Sequence, residues 1–274
     1  MMRIRDRPTD NVLLCVGRGG SGTRLVSQLA VDAGFFIGNE LNRSGDSLEW
    51  VELIYRMVVQ SGGHRALPNG SRYRSEIHAT ADRILAAAPS GRPTRWGMKL
   101  PETMLVLPLL LDAFPDAKVV HLTRHPVSCS LRRTHKTSRL GNRVGDVVLP
   151  AAYAFAGHDP GRIATDEVFL HNAYSWNYQV ARVVAFGRRQ LGEARYLEIK
   201  YEDVCDHPET VLREAERFLG QTEQARSTSV SVDLSRAGSW DPDDARVRAI
   251  WEVCGETAAT IGYGAMASGG LATR

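Results

Sequence analysis

Asn11-Val12-Leu13-Leu14-Cys15-Val16, followed by Gly17-Arg18-Gly19-Gly20-Ser21-Gly22-Thr23-Arg24, decides the fold. The first six residues form an unbroken apolar run that stops at a glycine, as a strand buried on both faces requires. From Gly22 to Ala33 the apolar residues return at helical spacing, so the order is strand, glycine loop, helix. Glycines let the backbone approach a ligand closely, and the unpaired amides at the helix start favour an anion.

Outward from this unit the pattern repeats. Further strands are predicted at Trp96–Lys99, Ala117–Leu122 and Arg195–Ile199, and helices at Ser47–Val59, Ser75–Ala88, Glu102–Ala113, from Pro126 onward, and at Asp166–Leu191, Pro208–Leu219 and Asp243–Ile261. Gly62–Ser75 reads as a loop, and Gly141–Gly161 as an irregular lid within a mobile insertion over residues 136–165. Strands alternating with helices imply an α/β fold, a mainly parallel sheet with helices on both faces. With 274 residues and 43% hydrophobic content, the chain is expected to close one core as a single domain over residues 1–274.

The net charge of +3 says little, but its distribution says more. Between Arg124 and Arg143 lie six Lys or Arg residues together with His125 and His135, and no carboxylate. A field of that sign favours an anionic ligand. Nucleic acid is not expected, because the segment lacks interleaved aromatics. Cys15, Cys129, Cys205 and Cys254 are scattered without metal or disulfide spacing, so they read as reduced thiols of a cytoplasmic protein. No apolar run at the N-terminus suits a signal peptide, and Met104–Leu111 is too short to span a bilayer.

The glycine loop admits three readings. Gly17, Gly19 and Gly22 fit the GxGxxG dinucleotide fingerprint, with Glu40 as a conceivable ribose acid. The loop also approaches GxxxxGK[ST], but Thr23-Arg24 stand where a phosphoryl-transfer loop needs Lys and Ser/Thr. In the third reading, Ser21-Gly22-Thr23 resembles the phosphosulfate loop of sulfotransferases that use 3′-phosphoadenosine-5′-phosphosulfate (PAPS). The basic residue usual before the serine is Gly20 here, so Arg18 or Arg24 would supply the charge.

Further blocks follow in that family's order. Trp96-Gly97-Met98-Lys99-Leu100-Pro101 resembles its Lys-x-Pro strand end, and Val119-Val120-His121-Leu122-Thr123-Arg124-His125-Pro126 its strand ending in Arg-x-Pro. Tyr201-Glu202-Asp203, and Ser239-Trp240 before a final helix, resemble its later blocks. The likeness runs over residues 11–263 and is nearest in layout to the bacterial, tyrosylprotein and heparan branches. It implies a three-layer sandwich like that of phosphate-loop nucleoside triphosphatases.

The same resemblance implies the site. Arg18, Gly19, Gly20, Ser21, Gly22, Thr23 and Arg24 would cradle the phosphosulfate, and Arg124 would grip the 3′-phosphate. Arg132 stands where the family has a serine sharing that phosphate, with Ser130 close by as the other candidate, and Tyr201 would lie near the adenine. Sulfuryl transfer to a hydroxyl needs a base and a cation. Glu40, in Gly38-Asn39-Glu40, resembles the catalytic acid segment of two branches, and Lys99 would face the bridging oxygen. His125 and His135 are alternative proton carriers; His121, Trp176 and Trp240 read as packing residues. The implied reaction moves a sulfuryl group from PAPS to an acceptor hydroxyl on a carbohydrate or small molecule, with PAP as product and no metal. A kinase using ATP, a nicotinamide-dependent dehydrogenase and a non-catalytic nucleotide-binding module are the alternatives. The acceptor and the oligomeric state cannot be read from these residues.

Overall fold

The computed structural model describes residues 11–62, 70–220 and 240–264. Four parallel strands, β1 (Val12–Val16), β2 (Trp96–Lys99), β3 (Lys118–Thr123) and β4 (Tyr196–Lys200), pair in the order β2-β1-β3-β4. The helices are α1 (Arg24–Asp32), α2 (Val51–Gln60), α3 (Gly70–Ala86), α4 (Leu107–Ala113), α5 (Pro126–Ser130), α6 (Gly145–Phe155), α7 (Val168–Gln190), α8 (Tyr201–Asp206), α9 (Pro208–Leu219) and α10 (Ala245–Thr260).

Strand β1 is buried throughout, and its alternation divides the core. Val12, Leu14 and Val16 face a cluster containing Ile54, Met57, Met98, Leu110, Tyr153, Trp176 and Ile250. Leu13 and Cys15 face a second cluster with Leu25, Leu29, Val120, Ile199, Val204 and Leu219. Helices α1, α8 and α9 cover the second face, while α2, α3, α4, α6, α7 and α10 cover the first. This is the expected sandwich.

The connectivity fixes where a ligand can sit. The chain leaves β1 for β2 on one side, and leaves β3 for β4 on the other, so the crossovers diverge between β1 and β3. In open parallel sheets the crevice beyond the strand ends at such a switch point is the binding position. The glycine loop and Arg124 are the segments that follow these two strands.

Three sequence expectations need correction. Residues 145–155, read as part of an irregular lid, form α6 with Pro150 inside it; Val148, Leu149, Ala152 and Tyr153 are buried, and that packing outweighs the proline and small residues. The helix expected over Glu102–Ala113 is split into a 3-10 turn, Pro101–Leu105, and α4. Helix α3 begins at Gly70, inside the stretch read as a loop; residues 63–69 of that loop lie outside the described residues, as does Ser239 of the Ser239-Trp240 block.

Candidate active site

The glycine loop is shaped by close approaches. A Cβ on Gly17 would lie 2.6 Å from the Leu122 carbonyl oxygen of β3, so the loop presses against its neighbouring strand. Gly20 and Gly22 have φ of 96° and 90°, conformations open to glycine and costly for other residues. A side chain on Gly22 would strike the Tyr201 ring, and one on Gly19 the His135 ring. The amide of Ser21 closes a turn onto the Arg18 carbonyl at 3.0 Å, and Leu25 starts α1 by bonding to Gly22. Ser21 and Thr23 are buried, whereas Gly20 and Arg24 are exposed.

Arg18 turns inward. It is 1% exposed, and its guanidinium donates to Ser138 Oγ at 2.7 Å, Asn172 Oδ1 at 2.8 Å and the Gly19 carbonyl at 3.1 Å. Asn172 in turn donates to the carbonyls of Ser130 and Arg132. Arg18 thus ties the loop to α7 and to the segment after α5, with its Nε left without a hydrogen-bond partner. Of the two arginines flanking Gly19–Thr23, Arg24 is the one at the surface.

Arg124 is held differently. The indole of Trp176 donates to its carbonyl at 3.0 Å, and its guanidinium carbon lies 4.3 Å from the Tyr201 ring centroid. Its Nε and Nη2 are buried without a hydrogen-bond partner, as are the hydroxyls of Ser128 and Ser130 on α5. A charged fork with unmet donors is costly unless a ligand completes it. Arg132 is exposed at the end of this segment. His125 caps α5, accepting from the Val127 amide at 3.3 Å, and stacks on Trp240 with ring centroids 4.2 Å apart. Burial pulls its pKa down to about 4. Glu202 joins the strand ends, accepting from the His125 amide at 3.0 Å and from the Tyr263 hydroxyl at 2.8 Å.

Across the crevice, Lys99 ends β2 fully buried and paired to Asp46 at 2.6 Å, with a second bond to the Ser44 carbonyl at 2.8 Å. The segment carrying Asp46 is braced from both sides: Ser47 exchanges bonds with the Lys99 backbone, and Ser27 of α1 donates to the Gly45 carbonyl. Glu40 belongs to the same segment and is exposed. Its carbonyl accepts from the Leu48 amide at 2.9 Å.

Sequence reasoning missed four participants. Glu102 is 1% exposed and accepts from the Tyr55 hydroxyl at 3.2 Å, which itself accepts from Lys136 at 3.0 Å. Burial raises the Glu102 pKa. Asp46 and Asn172 complete the set with Tyr55; nothing in their local sequence marks them, because each acts on a residue far along the chain. His121 and Trp176 are core residues as read, His121 meeting the Tyr196 hydroxyl at 2.7 Å. Among the described residues no cluster of His, Cys, Asp or Glu could hold a metal ion, and no helix is long and apolar enough to cross a membrane.

Comparison with known proteins converges on one family. The model of the sulfotransferase family matches residues 15–224. Mouse (Mus musculus) carbohydrate sulfotransferase 5 is 24% identical over 182 residues, covering 58% of this chain; the chain spans 45% of that relative's length. Among solved structures, the sulfotransferase domain from the curacin biosynthetic pathway is 16% identical, with 92% of this chain and 97% of the other covered at a TM-score of 0.50. The sulfotransferase domain of the Synechococcus PCC 7002 olefin synthase is also 16% identical, with 94% and 97% covered at 0.51. At that identity the two structures speak for the fold.

Proposed function

The chain belongs to the sulfotransferase family, and from that premise we propose that it transfers the sulfuryl group of PAPS to a hydroxyl of a carbohydrate or small-molecule acceptor, releasing PAP. The observation that carries the nucleotide reading is Arg124. Its unmet Nε and Nη2 donors lie buried at the switch point, beside a helix whose Ser128 and Ser130 hydroxyls are equally unmet. Four unmet polar atoms on one short segment fit a phosphate, which offers acceptor oxygens to the guanidinium and to the hydroxyls alike. The 3′-phosphate of PAPS is the group the resemblance puts there, with Ser130 as its partner in preference to the exposed Arg132. Tyr201, under the guanidinium and against Gly22, joins the 3′-phosphate end to the glycine loop.

The loop from Gly19 to Thr23 would hold the phosphosulfate through backbone amides, with Arg24 contributing charge at its rim. Lys99 supplies a fixed positive charge at the end of β2, oriented by Asp46. A carbohydrate acceptor is supported by the name of the mouse relative. Isothermal titration with PAP, ATP and NAD tests the donor: PAP is expected to bind and the other two not. Preference for ATP would point to a kinase and preference for NAD to a dehydrogenase. PAP binding without turnover against a panel of acceptors would favour a binding module.

A further inference from the structure

His135 lies directly against the glycine loop: a Cβ on Gly19 would sit 1.9 Å from its Cδ2 and 2.2 Å from its Nε2. The other ring nitrogen is committed elsewhere. Nδ1 accepts from the Thr137 amide at 3.4 Å and meets the Thr137 hydroxyl at 3.2 Å. Gln179 donates to that hydroxyl oxygen at 3.1 Å, which leaves the hydroxyl proton for Nδ1. With Nδ1 an acceptor, the proton of the neutral ring is on Nε2. Burial, reinforced by Arg18, Lys136, Lys99 and Arg139, lowers the ring's pKa to about 3, so it stays neutral.

The His135 Nε2 therefore presents an N–H beside Gly19. Glu102 Oε1 lies 3.8 Å from the same nitrogen. That distance is too long for a direct hydrogen bond and leaves the donor unspent. Glu102 is fixed by the Tyr55 hydroxyl, which Lys136 holds in turn. The imidazole donor thus abuts the second glycine of the phosphosulfate loop with a carboxyl oxygen 3.8 Å from it, while Glu40 stands exposed in another segment.

Resting on the PAPS reading above, we propose that Glu102 is the base that takes the acceptor proton and that the His135 Nε2–H hydrogen-bonds the sulfuryl group during transfer. The acceptor oxygen forms its bond to sulfur as the bond from sulfur to the bridging oxygen breaks. The electron pair leaves on the phosphate of PAP, and the proton passes from the acceptor hydroxyl to Glu102. The donor works where negative charge spreads over the sulfuryl oxygens. The groups that face Glu102 are Tyr55, Lys136 and Asp46, with His135 Nε2 3.8 Å away, and those that face His135 are Arg18, Lys136, Lys99 and Arg139.

The test combines turnover of sulfur-labelled PAPS, with water or an added sugar as acceptor, and nitrogen NMR of the histidine-labelled protein. Glu102→Gln is expected to lower turnover on the order of 100-fold or more while PAP affinity changes less than about threefold. His135→Asn, which keeps an acceptor for Thr137 but loses the Nε2 donor, should lower turnover, and His135→Gln should restore part of it. Where turnover is too slow to measure, the His135 Nε2 resonance decides: it should show a protonated Nε2 and shift with PAPS but not with PAP, because PAPS alone carries the sulfuryl group. Equal shifts with both nucleotides, or full turnover in Glu102→Gln with loss in Glu40→Gln, would overturn the proposal and return the base to Glu40. Failure of the unmodified protein to bind PAP would instead remove the nucleotide reading on which it rests.

Discussion

Arg124 sits over Tyr201, its guanidinium carbon 4.3 Å from the ring centroid, although the two residues belong to different strand ends. The register explains it: Thr123 of β3 pairs with Lys200 of β4, so the next residue on each strand emerges at the same edge of the sheet. The aromatic face positions the fork without consuming its donors, which leaves Nε and Nη2 for a ligand.

Replacing Arg124 should therefore strike nucleotide binding first. Arg124→Ala is expected to weaken PAP binding by about 1.5–3 kcal/mol, roughly 10- to 100-fold in Kd, and Arg124→Lys should fall between the two because it keeps charge but loses the planar fork. Titration calorimetry reads both. A change below threefold in Arg124→Ala would mean that the unmet donors serve something else.

Gly22 couples backbone and ring. With φ of 90° and the Tyr201 ring 2.7 Å from where a Cβ would lie, Gly22→Ala carries both conformational strain and a clash. The strain alone is about 1–3 kcal/mol. In a Tyr201→Ala background the clash disappears and the strain remains, so urea unfolding should give a smaller penalty there than in the parent. Equal penalties would show that the ring yields freely.

Arg18 is expected to be a stability residue. Arg18→Met leaves Ser138 and Asn172 without their donor, and each buried unmet group costs about 1–3 kcal/mol. Urea denaturation should show a loss of at least about 2 kcal/mol. Unchanged stability with abolished PAP binding would restore Arg18 as the ligand cation.

Acid should destabilise the fold well above the carboxylate range. His121, His125 and His135 are held neutral, their pKa values drawn down by burial to about 3, 4 and 3. Below pH 6.5 the unfolded chain takes up protons that the folded state refuses, so stability falls as pH falls from about 6.5 toward those values. Each histidine contributes at most about 1.4 kcal/mol per pH unit. Glu102, whose pKa burial raises, works in the opposite direction and offsets part of the loss. Urea midpoints at pH 7 and pH 5 check this, and an unchanged midpoint would mean that the three rings charge in place.

The sequence by itself determined the parts that depend on local pattern. An unbroken apolar run ending in glycine can only be satisfied as a strand covered on both sides, and Val12, Leu14 and Val16 alternating with Leu13 and Cys15 already assign the two faces. Gly20 and Gly22 announced a backbone that other residues resist, and Arg124 stood at a strand end where the chain has to turn. Which way a long side chain points was decided only by tertiary structure. Arg18 could reach a ligand or the interior, and Asn172, remote in sequence, draws it inward. Lys99 could stand alone or be paired, and Asp46 pairs it. Glu102 and His135 share no motif; they meet because β2 and the turn after α5 end at one crevice, and because Gly19 has no side chain to keep the ring away. Periodicity tells a residue its face, whereas its partner is set by the crossing of distant segments, and the chemistry of this site lies in the partners.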